Sequence, residues 1–302
     1  MTFPLVPRRR LIGLAFGSVR SARRGLGDDV AGSRPYHPGD DVDLVDWSAS
    51  ARLSSARGMD EFVVRQTFAD EAPRVVVFCD RRPQMSFFSP PLPWLDKASA
   101  MRHACELICD SAAAARGFIG YLDFAGGEPF WRPPKGEREL WEVKERHLQW
   151  PEFAAAPDSI QAGLDHLAEQ RVALPPGSFL FVVSDFLGPE ADAGWERALS
   201  FRWDAVPVVV QDPVWEQSFP DVGGLVVPYA EPGGGRVALV RLSAAEARAR
   251  RERNEGRLAA ILDGFRSRDL EPVLLSTDDP GEILQGFLEW SDARLYHRGR
   301  LW

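Results

Sequence analysis

From Arg74 to Thr277 the chain alternates two kinds of hydrophobic pattern. Short apolar, β-branched runs recur at Arg74–Asp80 (RVVVFCD), Phe118–Phe124 (FIGYLDF), Ser178–Asp185 (SFLFVVSD), Ala205–Asp212 (AVPVVVQD) and Glu271–Thr277 (EPVLLST). Their near-continuous apolarity is that of strands buried on both faces of a parallel sheet. Asp80, Asp185 and Asp212 close three of these runs, where a strand opens onto a loop. Between the runs lie stretches of helical period. Asp96–Arg116 places Ala98, Met101, Ala104 or Cys105, Ile108 and Ala112 on one face and stops at Gly117. Helices are also predicted at about 137–147, 158–172 and 189–200, and over 244–267, where Ser243 and Glu246 form a capping box. A last helix starts at Asp279-Pro280, with Glu282 in its first turn.

This beat of strand and helix predicts an α/β fold, a doubly wound and mostly parallel sheet with right-handed crossovers. Ligands of such sheets bind at the carboxyl ends of the strands. Phe130 and Trp131, after the turn at Gly126-Gly127, read as a short hairpin partner of the second strand. Gly224–Leu242 reads as an inserted β-hairpin near 222–242, with Gly233–Gly235 at its tip; the glycines have no following Lys-Ser/Thr, so turn geometry is preferred to phosphate binding. The division is therefore an amino-terminal extension over 1–70 and an α/β domain over 71–302. Arg248, Arg250, Arg251 and Arg253 are read as the solvated face of their helix.

Composition narrows the class. With 45% hydrophobic and 26% charged residues, ten Trp and 18 Phe, the 302-residue chain is globular. No run approaches the ~20 apolar residues of a membrane helix, so no transmembrane segment is expected. Cys79, Cys105 and Cys109 are an odd set in a large chain, which fits free thiols and a cytoplasmic location. A net charge of -8 argues against nucleic-acid binding. The first 25 residues hold Arg8, Arg9, Arg10, Arg20, Arg23 and Arg24 without an acid and are read as a solvated basic arm, which leaves a place peripheral to the inner membrane open. Five scattered histidines show no zinc spacing, and no nucleophile elbow, Walker loop or dinucleotide fingerprint appears. No catalytic residue is assigned.

The densest polar segment is SRPYHPGDDVDLVDWSASAR, Ser33 to Arg52. Pro38-Gly39 suits a type II turn, Arg34 and Arg52 offer guanidinium forks for carboxylates, and Trp47 is a candidate anchor expected to be buried against the sheet domain. The segment reads equally as a binding site and as a structural clasp. Arg34, Tyr36, Pro38, Gly39, Asp40, Asp41, Asp46, Trp47, Ala51 and Arg52 resemble the signature of domain-of-unknown-function family 58, with Val45 where Ile is usual. The resemblance continues through Glu71, Ser184-Asp185-Phe186-Leu187 and Asp212-Pro213. That family is similar to von Willebrand factor A domains, and its members are typically encoded beside MoxR-type AAA ATPases.

The resemblance implies where a metal would sit. Von Willebrand A domains often hold Mg²⁺ or Mn²⁺ at an Asp-x-Ser-x-Ser loop after the first strand. Here the loop reads Asp80-Arg81-Arg82-Pro83-Gln84-Met85, so Arg82 and Gln84 replace both serines. A guanidinium cannot coordinate a cation, and Arg82 is expected to pair instead with Asp80 or Asp185. Gln84 keeps a carbonyl oxygen, which leaves room for weak Mg²⁺ binding; no other cofactor is expected. Phe87, Phe88 and Trp94 in the following loop are expected at the rim of a partner surface. The leading reading is a non-catalytic interaction module with a degenerate metal-adhesion site, acting with a MoxR-type ATPase in assembly or activation of another complex. The alternatives are a metal-dependent enzyme using Asp40, Asp41, Asp43 and Asp46, and a membrane-surface scaffold held by the basic arm.

Overall fold

The computed structural model describes residues 1–8, 14–24, 30–38, 40–87, 94–135, 144–146, 152–224, 226–230 and 237–299. The expected helix at 137–147 and the Gly233–Gly235 tip fall largely or wholly outside these residues. Ahead of the α/β part, where the pattern predicts no strand, lie β1 (Leu14–Arg24), β2 (Val30–Pro35) and β3 (Val63–Ala72), an antiparallel sheet of order β1-β3-β2. Its pairing shifts register between Ala15 and Val19 and again between Arg20 and Arg24. Each shift breaks the regular pairing of the strands, so no unbroken two-residue period runs along the segment.

Between β2 and β3 a 3₁₀ turn at Val42–Leu44 leads into α1 (Trp47–Arg57). The Asp46 side chain caps α1 by accepting the Ala49 N–H, and Gly58, at φ 68°, ends it in the left-handed conformation. Then come β4 (Arg74–Cys79), α2 (Lys97–Ala114), β5 (Phe118–Asp123), β6 (Phe130–Lys135), α3 (Ser159–Glu169), β7 (Phe179–Ser184), α4 (Asp192–Ser200) and β8 (Asp204–Val210). The chain continues through the hairpin β9 (Val226–Ala230) and β10 (Val237–Arg241), then α5 (Ala244–Ser267), β11 (Val273–Leu275) and α6 (Pro280–Gly299). Six strands form the central sheet in the order β11-β8-β7-β4-β5-β6, parallel except for the β5–β6 pair. This is the doubly wound, mostly parallel sheet that the pattern predicts.

Alternation along β4 divides the core into two layers. Val75, Val77 and Cys79 pack with Met101 and Ile108 of α2 and Phe287 of α6. Val76 and Phe78 face the other way, toward Leu164 of α3, Trp195 of α4 and Phe265 of α5. Gly163 lets α3 approach closely, since a Cβ there would lie 2.2 Å from the Phe78 ring.

The first eight residues are not a solvated arm. Phe3, Leu5 and Val6 are buried, and the Phe3 ring stacks on Phe287 at 4.6 Å. Phe3 N–H donates to Ser111 Oγ, and Arg8 N–H to Asp204 Oδ2. Arg294 of α6, itself buried, donates to the Val6 carbonyl at 2.9 Å and to both carboxylate oxygens of Asp204. Three apolar residues are too few to show a period, so only tertiary contact reveals them. Of the arginines read as the solvated face of α5, Arg248 and Arg253 are exposed as expected, while Arg251 is half-buried and bonds the loop after β8. Arg251 Nε donates to the Phe219 carbonyl, Arg257 Nη2 to that of Glu216, and Asn254 Nδ2 to those of Trp215 and Ser218. That face holds the loop after β8 in place. Phe3→Ala should cost about 3–5 kcal/mol, the usual loss for a buried phenylalanine, read as a lower urea midpoint at unchanged slope.

Candidate functional site

The chain leaves β4 for β5 on one side of the sheet and reaches β7 on the other. The strand order therefore reverses between β4 and β7, and a crevice opens at their carboxyl ends. Asp80 and Asp185 follow these two strands, and both are fully buried. Arg82 lies between them. Its Nε donates to Asp80 Oδ1 at 3.0 Å and Oδ2 at 2.9 Å, and its Nη2 to Asp80 Oδ2 at 2.5 Å, to Ser184 Oγ at 3.0 Å and to Asp185 Oδ1 at 3.1 Å. Ser184 Oγ donates in turn to Asp80 Oδ2 at 2.7 Å. Gly188 makes room for this fork, because a Cβ there would fall 1.5 Å from Arg82 Nη1. Burial pulls the Arg82 guanidinium down, but the Asp80 and Asp185 carboxylates hold it above its ordinary range.

A second cation completes the set. Lys97, in the first turn of α2, places Nζ 3.0 Å from Asp185 Oδ2 and 2.7 Å from Glu216 Oε1. Burial lowers its proton affinity, yet the charges of Asp185 and Glu216 outweigh burial and raise its pKa. Burial raises the Glu216 carboxyl above the usual range in spite of Lys97. Asp212 fixes the loop that carries Glu216: Oδ2 accepts the Leu95 N–H, and Oδ1 accepts those of Val214 and Trp215. Beside this cluster, Arg81 Nη2 meets the Tyr121 hydroxyl, which donates to Asp123 Oδ2 at 2.7 Å. Arg146 Nη2 pairs with Asp123 Oδ1 at 3.2 Å.

Gln84 sits half-buried on the 3₁₀ turn Pro83–Ser86, and among the described residues its side chain makes no hydrogen bond to the acids. The carboxylate oxygens of Asp80 and Asp185 are thus engaged by Arg82, Lys97 and Ser184. No group of three or more His, Cys, Asp or Glu placed to hold a metal occurs among the described residues. At the rim Phe87, 45% exposed, stacks on Trp94 at 5.5 Å, and Trp94 meets Trp215 edge-on at 5.9 Å. Phe88 lies outside the described residues.

The segment from Arg34 to Arg52 folds away from these strands. Arg34 clasps Asp40 with two parallel hydrogen bonds of 2.6 and 2.5 Å. That fork, with the His37 N–H, lowers the Asp40 pKa to about 2. Tyr36 N–H donates to the Phe62 carbonyl. Pro38 is exposed, and Gly39 lies outside the described residues. Asp41 caps the 3₁₀ turn by accepting the Asp43 N–H, while Asp46 pairs with Arg65. Arg34 thus supplies the carboxylate pair expected of at least one of the two arginines, while Arg52 Nε donates to the Ser48 carbonyl. The expected burial of Trp47 fails: it is 60% exposed and touches Phe62 edge-on. The reason is local: α1 docks on β3 through buried Ser50, whose Oγ accepts the Val63 N–H, so Trp47 is not needed as an anchor.

The family described as "Protein of unknown function DUF58" matches residues 32–258. The chain belongs to the DUF58 family. Uncharacterized proteins of Mycobacterium bovis and Mycobacterium tuberculosis are each 27% identical over 242 residues, covering 77% of this chain and 70% of theirs. Among solved structures, a conserved hypothetical protein BatB from Bacteroides thetaiotaomicron aligns with 73% of this chain and 99% of its own, at 13% identity and a TM-score of 0.41. A von Willebrand factor type A protein from Catenulispora acidiphila aligns with 77% of this chain and 45% of its own, at 11% identity and a TM-score of 0.39.

In this DUF58 protein, sequence reasoning missed Lys97, Glu216, Arg81 and Asp123. One signal was available for Lys97. It directly follows the N-cap Asp96, and a cation in the first turn opposes the helix dipole unless a buried acid holds it. Because the Lys97 pKa is raised by folding, its pairing is fully present at neutral pH and is lost only as pH climbs past the ordinary lysine range. Lys97→Met should cost about 3–5 kcal/mol by stranding Asp185 and Glu216. The loss should shrink on acidification, as Glu216, already raised by burial, takes up a proton. Urea midpoints at pH 8 and pH 5 check this, and an equal loss at both would contradict it.

Proposed function

We propose that this DUF58 protein is a non-catalytic protein-interaction module whose binding surface is the carboxyl edge of the central sheet, with internal cations in place of an adhesion metal. The observation that carries this reading is the double clamp on the switch-point acids, Arg82 on Asp80 and Asp185 and Lys97 on Asp185 and Glu216. A metal-dependent site would leave those oxygens open to a hard cation and keep one coordination position for a partner's carboxylate. Here the acids are paired inside the protein by Arg82 and Lys97, and the groups left to meet a partner are the aromatics Phe87, Trp94 and Trp215. Aromatic side chains beside buried charge have the composition of an interface hot spot.

The partner in this reading is a MoxR-type AAA ATPase, by the family resemblance, and the module couples it to assembly or activation of another complex. The setting is the cytoplasm, where the buried free thiols of Cys79, Cys105 and Cys109 persist. Among the described residues no helix is long and apolar enough to cross a membrane. Two measurements test the proposal. Titration calorimetry with Mg²⁺ and Mn²⁺ should register no tight binding by the parent protein, and strong binding would restore a metal-dependent mode. Co-purification with the ATPase should be lost in Phe87→Ser while the urea midpoint shifts by no more than about 0.5 kcal/mol, the scale of a surface change. Capture that survives Phe87→Ser would place the interface elsewhere.

A further inference from the structure

We propose that the face built from β2, α1 and the start of β3 docks a basic segment of a partner protein, seating a lysine or arginine side chain against Trp47 and Phe62. This inference is independent of the carboxyl edge of the central sheet. Trp47 is 60% exposed, Phe62 47% and Met59 62%, a concentration of large apolar side chains in one short stretch. Phe62 joins the aromatics: its ring lies 6.1 Å from Trp47 and 6.4 Å from Tyr36, edge-on to both. An open cleft of about 590 Å³ is lined by Tyr36 and Phe62 with Leu53, Arg57, Asp60 and Glu61, and Trp47 adjoins it through its contact with Phe62. Exposed apolar surface of this kind, rimmed by polar groups, marks an interaction site.

Charge selects the occupant. Arg34, Arg57 and Arg65 are engaged by Asp40, Glu61 and Asp46. Among the described residues, Asp41, Asp43 and Asp60 are in no ion pair, and Arg52 is the cation left to set against them. The remaining field is negative, and the faces of tryptophan and phenylalanine attract cations. An acidic segment, a nucleic acid or an anionic lipid surface meets the same field as repulsion. Trp47 is free to serve because Ser50, not Trp47, docks α1 on β3.

The test uses the full-length protein and four fluorescein-labelled peptides on one leucine-glycine-serine framework, carrying three arginines, three lysines, three glutamates or three serines, followed by fluorescence anisotropy. The arginine and lysine peptides should bind saturably, and the glutamate and serine peptides should not. Trp47→Ala, and Asp43→Asn combined with Asp60→Asn, should each weaken binding by roughly tenfold, the scale of one cation–aromatic contact. Trp47→Phe should keep most of the affinity, and Phe87→Ser should leave it unchanged. Circular dichroism checks that each variant is folded. Absence of binding by the basic peptides, equal binding of the glutamate peptide, unchanged affinity in folded Trp47→Ala, or loss in folded Phe87→Ser would each overturn the proposal.

Discussion

Two carboxylates at the ends of neighbouring buried strands, each fully shielded from water, repel one another unless a positive charge lies between them. Arg82 supplies that charge, and much of the upper half of the molecule is arranged around it. Its fork spans the gap between β4 and β7, so the crevice that a doubly wound sheet opens at its switch point is bridged by the protein's own side chain. Gly188 exists as glycine to admit the guanidinium. Asp185 has a second oxygen to satisfy, which draws Lys97 from α2 and, through it, Glu216 from the loop after β8. That loop is secured by α5 through Arg251, Asn254 and Arg257. Four elements far apart in sequence are thus made mutually dependent by one electrostatic constraint. Such sets are strongly destabilised by removal of a single member, because the charge left behind is buried and unpaired.

The central sheet was legible because burial on both faces writes an unmistakable apolar run into each strand, and because acids punctuate the carboxyl ends. Asp80 and Asp185 could be brought together on paper for the same reason, and Arg82 was joined to them by the resemblance to von Willebrand A domains. Lys97 and Glu216 could not. Lys97 lies on a helix whose pattern looks complete without it, and Glu216 lies in a loop with no period at all. The three-stranded amino-terminal sheet was hidden by its register shifts. The misreading of Trp47 has another cause: an aromatic beside a helix cap looks like an anchor, yet a serine with one well-placed hydroxyl anchors α1 instead.

The two faces argued to meet partners differ in kind. At the carboxyl edge the acids are paired internally by Arg82 and Lys97, and Phe87 is the exposed member of a short aromatic stack. On the α1 face the salt bridges are local and the surplus is acidic.

The bond between Arg294 and the Val6 carbonyl has a consequence for how the protein is made. It joins groups 288 positions apart, and the same knot includes Asp204 and the stack of Phe3 on Phe287. During synthesis Phe3, Leu5 and Val6 must wait for α6, whose Arg294 lies 288 positions beyond Val6, before their apolar side chains are covered. Contacts of such long sequence separation form late, because the loop must close before it is rewarded. Phe3, Leu5 and Val6 therefore stay uncovered until α6 is made, and a chain truncated before Arg294 would leave them open to chaperones and proteases.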